Sequence, residues 1–119
     1  MKVIYTAGPY SSKDPNEVDQ NILNARKVAT EMVKKGWGFF CPHLNSAQFE
    51  RTLPDVPYTF WIALCLRMLS QCDAIVMMEG WEKSKGARTE HDFALEKGIL
   101  VYYGIDQVPE ISDFLTLDM

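Results

Sequence analysis

The feature that most constrains this chain is the near-continuous apolar run Asp73–Met78, set between two amphipathic helical patterns. A strand that is apolar at almost every position has no face for water. It belongs in a sheet covered on both sides, which is the usual setting of parallel sheets. Similar short runs lie at Lys2 to Thr6, Trp37 to Cys41 and Ile99 to Tyr103. Helical stripes separate them. Asp14-Pro15-Asn16-Glu17 reads as a capped helix start, followed by apolar Val18, Ile22, Ala25, Ala29, Met32 and Val33. Lys34, Lys35 and Gly36 end that helix. A second helix is expected from about Tyr58 to Gln71, with Trp61, Ile62, Cys65, Met68, Leu69 and Cys72 facing inward. A third runs from about Gly86 to Lys97 and stops at Gly98.

His43 to Pro57 is a weakly patterned connection with room for one helical turn, and Glu79 to Lys85 is a loop. Glu110 to Leu115 marks a short tail helix. Strands alternating with helices imply right-handed βαβ units. The fold class expected is therefore α/β: one domain over 1–119, a three-layer sandwich with a short parallel sheet. Ligands of such folds bind beyond the carboxyl ends of the strands. That places Ala7 to Lys13, Pro42 to Asn45, Glu79 to Gly86 and Gly104 to Gln107 at the site.

Composition narrows the function classes. A formal charge of −4 supplies no basic footprint, so nucleic acid is not an expected partner. No apolar run reaches membrane-spanning length, and the opening apolar stretch is too short for a signal peptide. Cys41, Cys65 and Cys72 lie in apolar settings without metal spacing, and there are two histidines. They read as reduced core thiols of a cytoplasmic protein with no metal and no cofactor.

Glu90 is the residue first suspected of chemistry. It falls on the inward stripe of the third helix, formed by Ala87, Ala94 and Leu95 with Phe93 beside them, one turn after Ala87 and one turn before Ala94. Two readings stand: a buried, chemically poised carboxylate, or a glutamate at the stripe edge that reaches water or Lys97. His91 reads as a packed, hydrogen-bonded residue. Glu82, Lys83, Lys85 and Arg88 read as solvated. Ser84 is a natural N-cap, and Gly86 leaves room at the first helical turn. Together they offer either plain capping or an anion site. Tyr5 is either core filler or a hydroxyl aimed at a facing carboxylate. Trp81 either shields a ligand or covers the sheet edge. Neither GxGxxG nor a Walker sequence occurs.

Several of these segments together resemble the nucleoside 2-deoxyribosyltransferase-like superfamily. They are Ile4-Tyr5-Thr6-Ala7-Gly8-Pro9, Cys72-Asp73-Ala74-Ile75-Val76, and Gly80-Trp81-Glu82-Lys83-Ser84-Lys85-Gly86-Ala87-Arg88-Thr89-Glu90. The Ser-x-Gly-x-x-x-Glu spacing is similar to that of 2′-deoxynucleoside 5′-phosphate N-hydrolases. The resemblance implies a flavodoxin/Rossmann-like sheet and a nucleoside or nucleotide substrate. It implies Glu90 as the nucleophile that forms a glycosyl-enzyme, with Tyr5 hydrogen-bonded to it. Gly8, Pro9, Tyr10, His43, Ser84 and Gly86 then fall to substrate binding, with Ser84 at a 5′-phosphate. Two departures stand out. Cys65 occupies a position where relatives often carry an aspartate, and Lys13 is the nearest cation to an arginine of the first loop. A non-catalytic nucleotide-binding module and an N-glycosidase acting on a nucleotide such as NAD are the competing readings. The apolar second helix, with Tyr58, Phe60, Trp61, Ile62 and Leu64, suggests a homodimer.

Overall fold

The computed structural model describes residues 1–111. Strands β1 (Val3–Ala7), β2 (Gly38–Phe40), β3 (Ala74–Met77) and β4 (Leu100–Tyr103) form one parallel sheet in the order β2-β1-β3-β4. Tyr5 pairs with Phe40 on one side and Ile75 on the other, and Ile75 pairs with Val101. Helix α1 (Pro15–Lys34) packs on one face against Ile4 and Val76 through Met32 and Val28. Helices α4 (Tyr58–Leu69) and α5 (Lys85–Lys97) cover the other face, where Tyr5, Ala7, Ile75 and Met77 meet Leu69, Ala87 and Ala94. The result is the expected three-layer α/β sandwich, with the strand order of flavodoxin-like sheets.

Local chemistry explains the elements. Asp14 caps α1 by accepting from the Asn16 amide at 2.9 Å, and Pro15 takes the first turn, where its missing N–H costs nothing. Gly98 ends α5 in the left-handed region, φ 73°, which glycine adopts without strain. Asp73 ties the start of β3 to β1: its carboxylate accepts from the Val3 amide at 2.8 Å, and its own amide donates to the Val3 carbonyl. All four residues of β3 are buried, as its unbroken apolar run requires. Each large apolar side chain buried this way contributes about 1.5–3 kcal/mol.

The stripes need three corrections. Val33 and Leu95 are more than half exposed. Each adjoins a fully buried neighbour, Met32 or Ala94, and adjacent helical positions point roughly 100° apart. On α4 only Leu69 is fully buried; Trp61 and Ile62 are turned toward a cavity. The connection before α4 holds two short helices rather than one turn, α2 (Pro42–Asn45) and α3 (Phe49–Thr52). A 3-10 turn at Trp81–Lys83 occupies part of the Glu79 to Lys85 loop, and α5 starts one residue earlier than expected. The tail helix expected at Glu110 to Leu115 falls almost wholly outside the described residues. No described helix is long and apolar enough to cross a membrane.

Candidate active site

The chain leaves β1 toward β2 and leaves β3 toward β4, so the loops after β1 and β3 diverge and open a crevice. A cavity of about 690 Å³ occupies the α4/α5 side of that crevice. Its size is that of a small-molecule site. Glu90 lies on its wall and is only 6% exposed, so the buried reading of this residue holds.

The Tyr5 hydroxyl donates to the Glu90 carboxylate, joining the centre of β1 to the second turn of α5. Burial raises the Glu90 carboxyl to about 7, against the hydrogen bond from Tyr5, which lowers it. Tyr5 itself rises well above the ordinary phenol value through burial, the Glu90 charge and Cys65. Both groups are thus tuned by desolvation first and by each other second.

Cys65 faces this pair. Burial and the Glu90 charge push its thiol up to about 11, opposed by the Tyr5 hydroxyl. Tyr58, at the start of the same helix, is raised by burial, Glu90 and Cys65, so its phenol also senses the carboxylate. Its hydroxyl lies over the first turn of α5, where a Cβ on Gly86 would come within 3.3 Å of it. Glycine at 86 therefore leaves space between the Tyr58 hydroxyl and the helix start. The sequence pattern did not single out Tyr58 as a site residue, because only the crossing of α4 over α5 brings it there.

The β1 loop forms another wall. A side chain on Gly8 would collide with Met78, 2.7 Å from its Cβ, so the loop lies flat on β3. Pro9 follows and touches the β3 loop at Gly80, whose φ of 84° suits glycine. The Tyr10 hydroxyl donates to Glu50 on α3 at 2.8 Å and accepts from the Gln48 amide at 2.7 Å. Burial raises that phenol to about 12, with the Gln48 amide lowering it and Glu50 raising it. Tyr10 thus lines the cavity with its ring while its hydroxyl clamps α3 over the rim.

His43, on α2, is 4% exposed and sits against the Tyr10 ring, centroids 5.5 Å apart. Burial lowers its pKa below the usual imidazole value, against the Pro9 and Gly8 carbonyls. Its Nε2 lies 2.7 Å from the Pro9 carbonyl oxygen and must carry the hydrogen. Nδ1 is then an acceptor, with no partner among the described residues.

Ser84 caps α5 by accepting from the Ala87 amide at 3.2 Å. Lys83 and Lys85 are solvated as expected, yet both line the cavity rim beside Ser84. Lys13 does not line the cavity. Trp81 and His91 point elsewhere. Their rings stack 4.4 Å apart, and His91 Nε2 meets the Tyr103 hydroxyl at 2.8 Å. Trp81 covers the β4 edge, and His91 is packed and hydrogen-bonded. No cluster of potential metal ligands occurs among the described residues.

Such a molecule is an α/β protein with a cavity at the carboxyl edge of its sheet and one buried carboxylate on the cavity wall. Residues 2–103 match the family described as a domain of unknown function, DUF4406, and the chain belongs to that family. A comparison with curated proteins finds no match. Among solved structures, the chain is similar to a 2-desoxiribosyltransferase from Leishmania mexicana, with TM-score 0.58 and 21% sequence identity. The alignment covers 87% of this chain and 63% of that one, so this chain spans less than two thirds of its neighbour's length. The likeness is one of fold, and it agrees at that level with the superfamily the sequence motifs resemble.

Proposed function

We propose that this chain cleaves or transfers the N-glycosidic bond of a 2′-deoxynucleoside or its 5′-monophosphate. The observation that carries this reading is the pairing of buried Glu90 with Tyr5 on the wall of a nucleotide-sized cavity. A carboxylate held by one hydrogen bond and stripped of water is suited to attack an anomeric carbon through an oxocarbenium-like transition state. The Glu90 oxygen bonds to the sugar carbon as the bond to the base breaks. Water then hydrolyses the glycosyl ester, or a second base displaces it. Tyr5 orients the carboxylate and stabilises its charge. Ser84, Gly86 and the free amides of the first α5 turn receive a 5′-phosphate, with Lys83 and Lys85 at the rim. His43, Gly8, Pro9 and Tyr10 border the sugar and base. The test is chromatography of released base from a panel of deoxynucleosides and their monophosphates, with ribonucleotides and NAD as comparison.

A second reading is a nucleotide-binding module without turnover. Cys65 favours it, since a thiol raised to about 11 is a poor proton donor to a departing base. Assembly belongs to the same proposal. Phe49, Leu53, Tyr58 and Phe60 are each more than 40% exposed on α3, α4 and the turn between them. A second copy packed on that surface gives a homodimer whose interface adjoins the cavity mouth.

A further inference from the structure

The cavity wall carries three carboxyl groups, Glu17, Glu50 and Glu90, and is poor in side chains that can act as acids. Glu90 is the attacking group and cannot protonate the base in the same step. Cys65, which faces it, is a thiol. The one buried histidine uses its Nε2–H on the Pro9 carbonyl, and its Nδ1 is buried and carries no hydrogen to give. Tyr5 is committed to Glu90 and Tyr10 to Glu50, while the Tyr58 phenol, raised by burial and by the Glu90 charge, holds its proton too tightly to serve as an acid. The remaining lining carboxyl groups, Glu17 on α1 and Glu50 on α3, are exposed. The cations Lys83 and Lys85 flank the Ser84 cap at the start of α5. A ligand therefore meets positive charge from α5 and negative charge from α1 and α3.

When the bond from C1′ to nitrogen breaks, its electron pair leaves with the base. A neutral base departs as an anion unless it gains a proton. A base that is already cationic departs neutral and needs none. The charge balance closes without an acid: carboxylate plus cationic N-glycoside gives a neutral glycosyl ester plus a neutral base. Water then releases the sugar and returns Glu90, with one proton to solvent.

We propose that the substrate is an N-glycoside whose base carries positive charge, such as an N-alkylated purine nucleotide or a pyridinium N-riboside phosphate. The inference rests on the N-glycosidase reading and names its substrate class. Glu50 and Glu17 complement the cationic base, and the rim around Ser84 takes the phosphate. Cys65 is then no defect: a carboxylate there would serve only a neutral leaving group.

The experiment compares base release from 7-methyl-2′-deoxyguanosine 5′-monophosphate and 2′-deoxyguanosine 5′-monophosphate, with nicotinamide mononucleotide as the pyridinium arm. Each rate is divided by its uncatalysed rate, so that intrinsic lability cancels. The expected result is an enhancement on the order of 10²-fold larger for a cationic substrate, the usual worth of an acid that is not needed. The two cationic arms tell the alkylated purine from the pyridinium. Cys65→Asp should narrow the gap by speeding the neutral substrate. Glu17→Gln, at an exposed position on the cavity wall, should raise KM for the cationic substrate on the order of tenfold more than for the neutral one. Equal or larger enhancement for the neutral nucleotide overturns the inference and leaves the N-glycosidase reading standing. No base released from any substrate overturns both.

Discussion

The Tyr5 hydroxyl and the Glu90 carboxylate, 85 positions apart in the sequence, share a buried hydrogen bond across the sheet–helix interface. The bond opposes burial in setting the acidity of Glu90. Tyr5→Phe should therefore raise the Glu90 pKa further. The ionised form is the nucleophile, so the rising limb of kcat/KM against pH should lie near 7 in the parent and move upward in the variant. An unmoved limb would mean that Tyr5 does not govern the carboxylate.

The same burial has a stability consequence. The folded-state pKa of Glu90 is raised from 4.5 to about 7, so the folded form holds its proton more tightly than the unfolded chain does. The contribution is fully present below pH 4.5 and is lost as pH rises through about 7. At about 1.4 kcal/mol per pH unit, the loss amounts to about 3 kcal/mol. Glu90→Gln escapes it. Urea unfolding should show Glu90→Gln more stable than the parent at pH 8, with the difference shrinking toward pH 5. A variant less stable than the parent at pH 8 would place Glu90 in a charge-stabilising environment instead.

Ser84 has both a capping role and a proposed phosphate role, and two measurements separate them. Ser84→Ala should cost about 0.5–2 kcal/mol in unfolding free energy through the lost cap. If the hydroxyl also holds phosphate, monophosphates should lose about 1.5–3 kcal/mol in kcat/KM while nucleosides hardly change. Equal losses on both substrates would leave capping alone.

Much of this was legible in the sequence because it rests on local chemistry. Asp14-Pro15, Ser84 and Gly98 act at helix ends through their own backbone, and the structure uses each as expected. Glu90 was legible because its neighbours at one helical turn, Ala87 and Ala94, are both buried. What escaped depends on how elements cross. Tyr58 comes close enough to sense the Glu90 charge only because α4 packs against α5. Lys83 and Lys85 read as solvated, and they are, but the fold puts them on the cavity rim. The clamp from Tyr10 to Glu50 joins two loops with no shared pattern. Gln48, at φ 65°, starts α3 in a conformation that no propensity argument assigns to glutamine.

The proposed assembly is tested by sedimentation of the parent and of Phe60→Glu. Phe60 is 54% exposed and touches Trp61 edge-on, so a charge there is tolerated by the monomer and opposed by an apolar interface. The parent should sediment as a dimer at micromolar concentration and the variant as a monomer. A parent that is monomeric leaves this surface without the role proposed.

The central claim is that Glu90 forms the bond to the sugar. Its most direct test is release of free base, followed by chromatography, from nucleoside 5′-monophosphates of neutral and cationic bases, by the parent and by Glu90→Gln. Nucleophilic carboxylates have no substitute within reach of the same carbon, so the parent should release base and the folded Gln variant should show essentially none. Base release by Glu90→Gln at a rate close to the parent's would contradict the account.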